Sequence, residues 1–552
     1  MKNLTFVSIN TFLILLFVSA LSLAADVNTD INTTAETNQG VTIDTRYYYT
    51  LHNSKYDEKY ALESSAPGSF ARLTKLKKST TAGQLWRFTP RGNGYYQLSS
   101  QFTGESYGLE SDGPGVGCSM RKGMYSGQKW KLIDLGGGWY KLVSEFTENG
   151  HNDAYALEGG SANKKCLMTE WKAQSGQYWK LKRRMPVQLQ EEVPDVSGGS
   201  EGPLNQSTIV NTKGEVNLIF MFVDFSDSKG TKSKNNKWFD ETFNKLTGNK
   251  TDLQNFYSNE SYGQLSLQYQ VIKEWKRMPK KLSYYVPGPG SGGWKWADYV
   301  KDAAALIPSS NYDENTVLVI VPPEKSAFLK GAGAHGVKIG KLRKQITIGT
   351  LAFEKDANFK TMAHEVGHCL GLPDLYPFKK PLIHQVGPWD IMADMILSAG
   401  FLGWHKKLFG WITPERSTYL RKGGWNGTIA PFSSKYGVSM VVIPDKKSDA
   451  NNPDKVWVVQ VTPPTLNKKG NVDSPNGKGV LIYTVQSKVT GDNKFIQIAP
   501  KKPVTNTSSS SADLVKNAPY LVGDSFNVPG APMTVRVVGK VGDSFYIDIQ
   551  PK

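Results

Sequence analysis

His364-Glu365-Val366-Gly367-His368-Cys369-Leu370-Gly371-Leu372-Pro373-Asp374 sets two histidines four residues apart with a glutamate beside the first. Residues at i and i+4 share one face of a helix, so both imidazoles can converge on one metal ion. Glu365 falls beside that point rather than on it, where its carboxylate can take a proton from an activated water and return it to a leaving amine. The spacing predicts zinc (Zn2+) held by His364 and His368. A catalytic zinc needs a third protein ligand while one position stays open. Gly371 lets the chain turn sharply out of the helix, and the turn can bring Asp374 back to the metal as that ligand. Asp356 is the expected N-cap, and Phe359, Met362, Ala363, Val366 and Leu370 repeat at helical spacing. A buried helix presenting its polar edge to a cleft is therefore expected. The plainer alternative, three polar residues decorating an exposed helix, does not explain the added glycine and aspartate.

Downstream, Gly387-Pro388-Trp389-Asp390-Ile391-Met392 offers Met392 as an apolar floor beneath the metal, as in the methionine turn of metzincins. A core methionine filling a gap is the competing explanation. At this point residues 214–415 resemble the catalytic domain of the immune inhibitor A family, secreted zinc endopeptidases placed among the metzincins. The stretches that carry the resemblance are Leu218-Ile219-Phe220-Met221-Phe222-Val223-Asp224-Phe225-Ser226-Asp227, Asn255-Phe256-Tyr257-Ser258-Asn259-Glu260-Ser261-Tyr262-Gly263-Gln264-Leu265, and the histidine motif running on to Leu375-Tyr376. Trp389-Asp390-Ile391-Met392 and Leu402-Gly403-Trp404-His405-Lys406-Lys407-Leu408-Phe409-Gly410-Trp411-Ile412 complete it. The resemblance implies proteolysis of protein substrates by zinc-activated water, with Glu365 as general base and His364, His368 and Asp374 as ligands. Two positions depart from the family pattern. Pro377 stands where an acidic residue often follows the tyrosine, so structural Ca2+ has no assigned place. Asp394 stands two places after Met392, where several metzincins carry tyrosine. Tyr376 and His384 are the candidates for the hydrogen bond to the transition state.

A chain of 552 residues exceeds what one hydrophobic core supports, so three or four domains are expected. Residues 1–24 have the three parts of a secretory signal: Lys2, an apolar run through Phe12-Leu13-Ile14-Leu15-Leu16-Phe17-Val18, and small residues at Ser22-Leu23-Ala24. A secreted, extracellular protein is expected, with no transmembrane segment after cleavage. Residues 25–44, rich in Thr, Asn and Asp, suggest a flexible leader. The net charge of +17 favours acidic surfaces such as anionic glycans, yet no nucleic-acid motif accompanies it, so no specific nucleic-acid partner is expected. Cysteine occurs only at Cys118, Cys166 and Cys369, which excludes a disulfide scaffold.

Residues 45–182 repeat. Tyr60-Ala61-Leu62-Glu63 returns as Tyr107-Gly108-Leu109-Glu110 and Tyr155-Ala156-Leu157-Glu158, and Gln84-Leu85-Trp86 returns as Gln128-Lys129-Trp130 and Gln177-Tyr178-Trp179. Each unit is a set of short alternating strands that cannot bury its apolar face alone, and three together close into a β-trefoil. The Q-x-W repeats resemble ricin-type lectin modules, which implies that Trp86, Trp130 and Trp179 pack in the core while Gln84, Gln128 and Gln177 tie the backbone. A glycan ligand is the module's usual implication. The asparagine such sites commonly place two residues before the glutamine is replaced by Ala82, Ser126 and Ser175. Cys118 and Cys166 hold near-equivalent places in two units, where a disulfide or two packed thiols are both open.

Residues 183–213, with Pro186, Pro194, Ser197-Gly198-Gly199-Ser200 and Gly202-Pro203, suggest an interdomain linker that opens on the dibasic pair Arg183-Arg184. Residues 214–415 alternate strands (216–225, 264–272, 317–321, 345–349) with helices (253–258, 296–307), an α/β zincin pattern, and 287–293 suggest a loop bordering the cleft. Residues 416–552 show β patterns only, with 507–511 as a surface loop, and suggest a β-sandwich. The multidomain sequence therefore predicts an all-β trefoil, a metzincin-like α/β domain and a C-terminal sandwich. The competing expectation is a lectin-like binding protein, an adhesin keeping an inactive or latent protease domain as scaffold.

Overall fold

The computed structural model describes residues 43–552 except 46, 65, 77–81, 105, 152–153, 187–192, 197–203, 206, 231–236, 288–293, 327–331, 350–358, 378–382, 435–436, 446–452, 468, 470, 476, 488–494 and 505–509. The expected signal segment 1–24, most of the leader 25–44 and the Asp356 cap lie outside the described residues, as does most of the expected loop 287–293.

The first twelve strands run β1 Tyr47–Asn53, β2 Tyr60–Glu63, β3 Arg72–Lys75, β4 Trp86–Pro90, β5 Tyr96–Ser100, β6 Tyr107–Glu110, β7 Ser119–Lys122, β8 Lys129–Asp134, β9 Trp139–Ser144, β10 Tyr155–Glu158, β11 Leu167–Glu170 and β12 Trp179–Pro186. Strands β1, β4, β5, β8, β9 and β12 pair in that order, and β12 pairs back onto β1, which closes a six-stranded barrel. β2 with β3, β6 with β7 and β10 with β11 form one hairpin per repeat. A closed barrel with three hairpins is a β-trefoil. Its pseudo-threefold axis is visible in a ring of backbone bonds: Ala71 N to Cys118 O (2.8 Å), Cys118 N to Cys166 O (3.0 Å) and Cys166 N to Ala71 O (2.8 Å). Trp86, Trp130 and Trp179 are fully buried. Each indole N–H donates to a backbone carbonyl of its own repeat, Leu62 (2.9 Å), Leu109 (2.6 Å) and Leu157 (2.8 Å). Gln84, Gln128 and Gln177 donate through Nε2 to the carbonyls of Lys75, Arg121 and Glu170. Cys118 and Cys166 are buried free thiols, so the open disulfide alternative is not the one observed.

Two boundaries differ from the expected ones. β12 continues to Pro186, which pairs with Tyr47, so the barrel does not end at 182. Arg183 and Arg184 are ladder residues: Arg183 lies 3.6 Å from Asp44, and Arg184 Nε donates to Thr50 Oγ1 at 2.9 Å. Nor is the described part of 183–213 a solvated linker, because Val193, Val196 and Val210 belong to the core of the following α/β layer and Asp195 pairs with Lys407. Gly/Ser/Pro content hid these valines.

The next sheet holds β13 Gly214–Asp224, β14 Leu265–Arg277, β15 Thr316–Val321, β16 Ala332–His335 and β17 Lys344–Ile348, in the order β14, β13, β15, β17, β16. All neighbours are parallel except β16, an antiparallel edge strand on β17. Parallel sheets are covered on both faces, which is why β13 reads as one apolar run. Leu218, Phe220 and Phe222 point into a core shared with helices Lys237–Thr247, Thr251–Glu260 and Phe359–Cys369. Ile219, Met221 and Val223 point the other way, towards Tyr285 and the helix Trp296–Ala304.

Beyond Pro414 the chain forms two sheets. One runs Ser417–Tyr419, Met440–Pro444, Lys455–Val461, Val480–Gln486, Ile496–Ile498, and the other Trp425–Ile429, Ser544–Pro551, Met533–Val541, Ser525–Asn527. The first sheet turns Val441, Ile443 and Val459 to the second, and Val442, Val458 and Tyr483 to the α/β core. The expected loop 507–511 is overturned at its end, since Ser510 and Ser511 begin the helix Ser510–Asn517. No helix among the described residues is long and apolar enough to cross a membrane.

Candidate metal centre

The helix Phe359–Cys369 buries Met362, Ala363, Val366 and Cys369 in the α/β core, and the Tyr257 hydroxyl donates to its Ala363 carbonyl at 2.6 Å. It ends in a Schellman motif: Leu372 N donates to Gly367 O (3.1 Å), Gly371 N to His368 O (3.0 Å), and Gly371 takes φ +106°. A side chain at Gly371 would strain that conformation. The turn reverses the chain so that Leu372-Pro373-Asp374 passes back along the end of the helix.

His364 Nε2, His368 Nε2 and Asp374 Oδ1 then form a nearly equilateral triangle, with edges of 3.0, 3.1 and 3.1 Å. Both histidines have their other nitrogen engaged, His364 Nδ1 on the Ile391 carbonyl (3.0 Å) and His368 Nδ1 on the Leu372 carbonyl (2.7 Å). A carbonyl only accepts, so each Nδ1 carries a proton, and each ring, when neutral, turns its Nε2 lone pair inward. Asp374 Oδ1 is buried with no hydrogen-bond partner. Three lone-pair atoms facing one another at this distance repel unless a proton or a metal cation sits among them. Two imidazoles and a carboxylate at tetrahedral ligand spacing suit zinc, and the carbonyl partners at Nδ1 are the orienting outer contacts such ligands use. Among the described residues no second group of three such side chains converges.

The protonation energetics follow the same geometry. Burial works to raise the Asp374 carboxyl, but the two histidine side chains hold it well below the usual carboxylate range. Burial works to lower His368, and the contacts with Asp374 and Glu365 outweigh it and push His368 up. Glu365 is raised by burial, which the histidines only partly offset. One of its oxygens takes the Ala334 N–H of edge strand β16, while Oε2 is buried without a partner. A carboxylate with one oxygen anchored and the other bare, beside a metal triangle, is placed to carry a proton.

Met392 is fully buried below the helix, so close that a methyl on Gly367 would meet its Sδ at 2.6 Å. The same turn supports two other site residues, because Ile391 O holds His364 and Met392 O accepts the Leu375 N–H at 2.9 Å. Asp390 fixes the turn through the Met392 N–H (2.9 Å), the Leu402 N–H (2.8 Å) and the buried His405 ring (2.8 Å). Asp394 caps the N–H groups of Ile396 and Leu397 and accepts from Ser511, so it stabilises a turn. The Tyr376 ring stacks on His364 with centroids 6.0 Å apart, and burial together with Asp374 pushes its hydroxyl up. His384 does not line the cleft; burial lowers it and its charged neighbour is Asp394.

The cleft has a volume of about 650 Å³ and is lined by His364, Glu365, His368, Asp374, Tyr376 and the edge strand Ala332–His335, together with Leu204, Asn205, Thr208 and Ile209. Sequence reasoning missed these last four, the Ala334 contact and the Asp390–His405 pair. Only the last had a sequence signal, since Asp390 and His405 both lie in quoted stretches.

No family model matches the chain, and no curated protein matches it. Among solved structures, the designed three-fold symmetric protein ThreeFoil is similar at 24% identity over 24% of this chain and 96% of its own, TM-score 0.21. The Macrolepiota procera ricin B-like lectin in complex with lactose matches at 15% identity over 26% of this chain and 100% of its own, TM-score 0.22. SeviL bound to the asialo-GM1 saccharide matches at 15% identity over 26% and 100%, TM-score 0.20. The trefoil stands on the closed barrel and three hairpins described above, not on these likenesses.

Proposed function

We propose that the chain is a secreted zinc-dependent endopeptidase: an α/β zincin domain of metzincin type, residues 214–415, with the segment from Val193 packed onto it, between the trefoil and a C-terminal β-sandwich. The observation that carries this is the inward triangle of His364 Nε2, His368 Nε2 and Asp374 Oδ1 beside the bare oxygen of Glu365. Zinc held by those three atoms supplies a Lewis acid that polarises a carbonyl and lowers the pKa of water to about 7. Glu365 accepts the proton of the attacking water and delivers it to the amine that leaves, and its environment, which raises it, suits a group that must hold and release that proton. Tyr376, which lines the cleft and is held protonated, is the better placed of the two candidate donors for the oxyanion; His384 is not. The edge strand β16 borders the cleft, so a substrate peptide can bind extended, as an added strand along Ala332–His335. Incubating the purified protein with a chelator should abolish cleavage of a denatured protein, and one equivalent of zinc should restore it. Cleavage that persists in metal-free protein refutes the proposal.

For the trefoil we propose glycan binding, which would hold the peptidase on glycosylated or anionic surfaces. The trefoil fold supports it, and so does the formal charge of +17. A glycan array probed with the Glu365→Gln protein reads this independently of proteolysis. Binding to no glycan refutes it.

A further inference from the structure

We infer that Leu204, Asn205, Thr208 and Ile209, upstream of the α/β sheet, form a fixed wall of the cleft that selects peptides presenting an aliphatic side chain beside Pro373; this rests on the peptidase proposed above. Leu204 Cδ2 and Ile209 Cγ2 each lie 3.1 Å from the point where a Cβ on Gly371 would stand. They therefore pack on the turn that delivers Asp374, and with Asn205 and Thr208 they line the same cleft as His364, Glu365 and His368. The segment is anchored beyond this contact. Val210 N donates to Cys369 O (3.2 Å), Asn211 N to Asn315 Oδ1 (3.1 Å), and Trp411 Nε1 to Thr212 O (2.7 Å). Ile209 is 3% exposed and Val210 fully buried.

Residues 204–210 contain no carboxylate, imidazole or thiol, so this stretch brings the candidate metal site no such ligand. The polar groups of Asn205, Ser207 and Thr208 are turned on one another: Asn205 Oδ1 accepts from the Ser207 N–H and hydroxyl, and the Thr208 hydroxyl donates to Asn205 O. What the wall offers a ligand is the partly exposed apolar surface of Leu204, backed by the buried Ile209. Apolar walls with a few fixed polar groups select by side-chain size, and one methylene changes discrimination by about 10-fold or more.

The test uses the full chain carrying Glu365→Gln and supplied with zinc, so that fluorescein-labelled peptides bind without being cut. Peptides differing at one position (Leu, Phe or Asp) are titrated by fluorescence anisotropy. The Leu peptide should bind about 10-fold more tightly than the Asp peptide. Adding Leu204→Ala should shift the Leu:Phe ratio about 10-fold towards Phe. Adding Thr208→Trp, at an exposed position where folding is not at stake, should weaken all three. Unchanged affinities and ranking in both double variants, or no peptide binding at all, overturn the inference. Failure of the peptidase proposal looks different: a wild-type chain with this ranking that cleaves none of the peptides.

Discussion

Replacing Gly367 by alanine tests whether the turn Asp390-Ile391-Met392 is pressed against the helix Phe359–Cys369. The new methyl would stand 2.6 Å from Met392 Sδ and 3.4 Å from its Cε, where ordinary contacts lie near about 3.5–4.0 Å. Met392 is fully buried and its main chain is held at both ends by Asp390 Oδ1 and the Leu375 N–H, each at 2.9 Å. It yields by repacking its side chain inside the filled core or by moving the turn. Alanine adds about 1 kcal/mol of helix propensity, while overpacking a tight core costs about 1–3 kcal/mol. The net expectation is a chain up to about 2 kcal/mol less stable. Because Ile391 O orients His364, zinc affinity should also fall about 10-fold, as when an orienting outer contact is disturbed. Urea unfolding in chelator gives the first quantity and competitive zinc titration the second. Met392→Ala in the same chain should relieve the clash, giving a favourable coupling of about 1 kcal/mol or more in a double-mutant cycle. A Gly367→Ala protein that gains the full propensity term, keeps its zinc affinity and shows no coupling to Met392 would refute the contact.

Asp374→Ala should lower zinc affinity by far more than 10-fold while leaving far-UV circular dichroism unchanged; equal zinc affinity would remove Asp374 from the site. His335, on β16, is stacked on Trp296 and lowered by burial to about 4, below its ordinary 6.5. Between those values the unfolded chain binds a proton that the folded chain does not, so stability should fall as pH drops from 6.5 to 4, by at most about 3 kcal/mol. His335→Phe should keep the stacking and flatten that window, which unfolding midpoints across pH will show. Trp130→Ala deletes a fully buried indole and its bond to Leu109 O, and should destabilise the trefoil by about 3–5 kcal/mol in thermal unfolding. Cys118, Cys166 and Cys369 are free and buried, and burial pushes each thiol up, so a thiol reagent should label them only after denaturation.

What the sequence makes legible is whatever repeats or obeys a short-range period. Six of the C-terminal strands, the four parallel strands of the central sheet, the repeats and the metal-site helix all show apolar patterns that local geometry enforces. The Gln and Trp repeats sit where a trefoil needs a buried indole and a backbone tie in every lobe. His364, His368 and Asp374 meet because helix spacing and a Schellman turn are local events. What was hidden is long-range. The helix Lys237–Thr247 follows a polar, lysine-rich stretch that masks its apolar Phe239, Phe243 and Leu246. Val193 and Val196 sit singly beside proline, acidic residues and serine, and Ile209-Val210 is one short apolar pair in a polar stretch, with no period to mark them, and only the fold shows the core and cleft they join. Arg183-Arg184 read as the start of a linker because nothing local reveals that β12 must run on to close the barrel on β1.

The most direct test of the central claim is the rate of hydrolysis of a denatured protein by the full chain and by its Glu365→Gln variant, measured at equal zinc content. The account predicts one zinc per chain in both and cleavage by the wild type alone, with a loss in the variant of at least about 100-fold. Equal rates in the two proteins, or a wild type that binds no zinc, would contradict it.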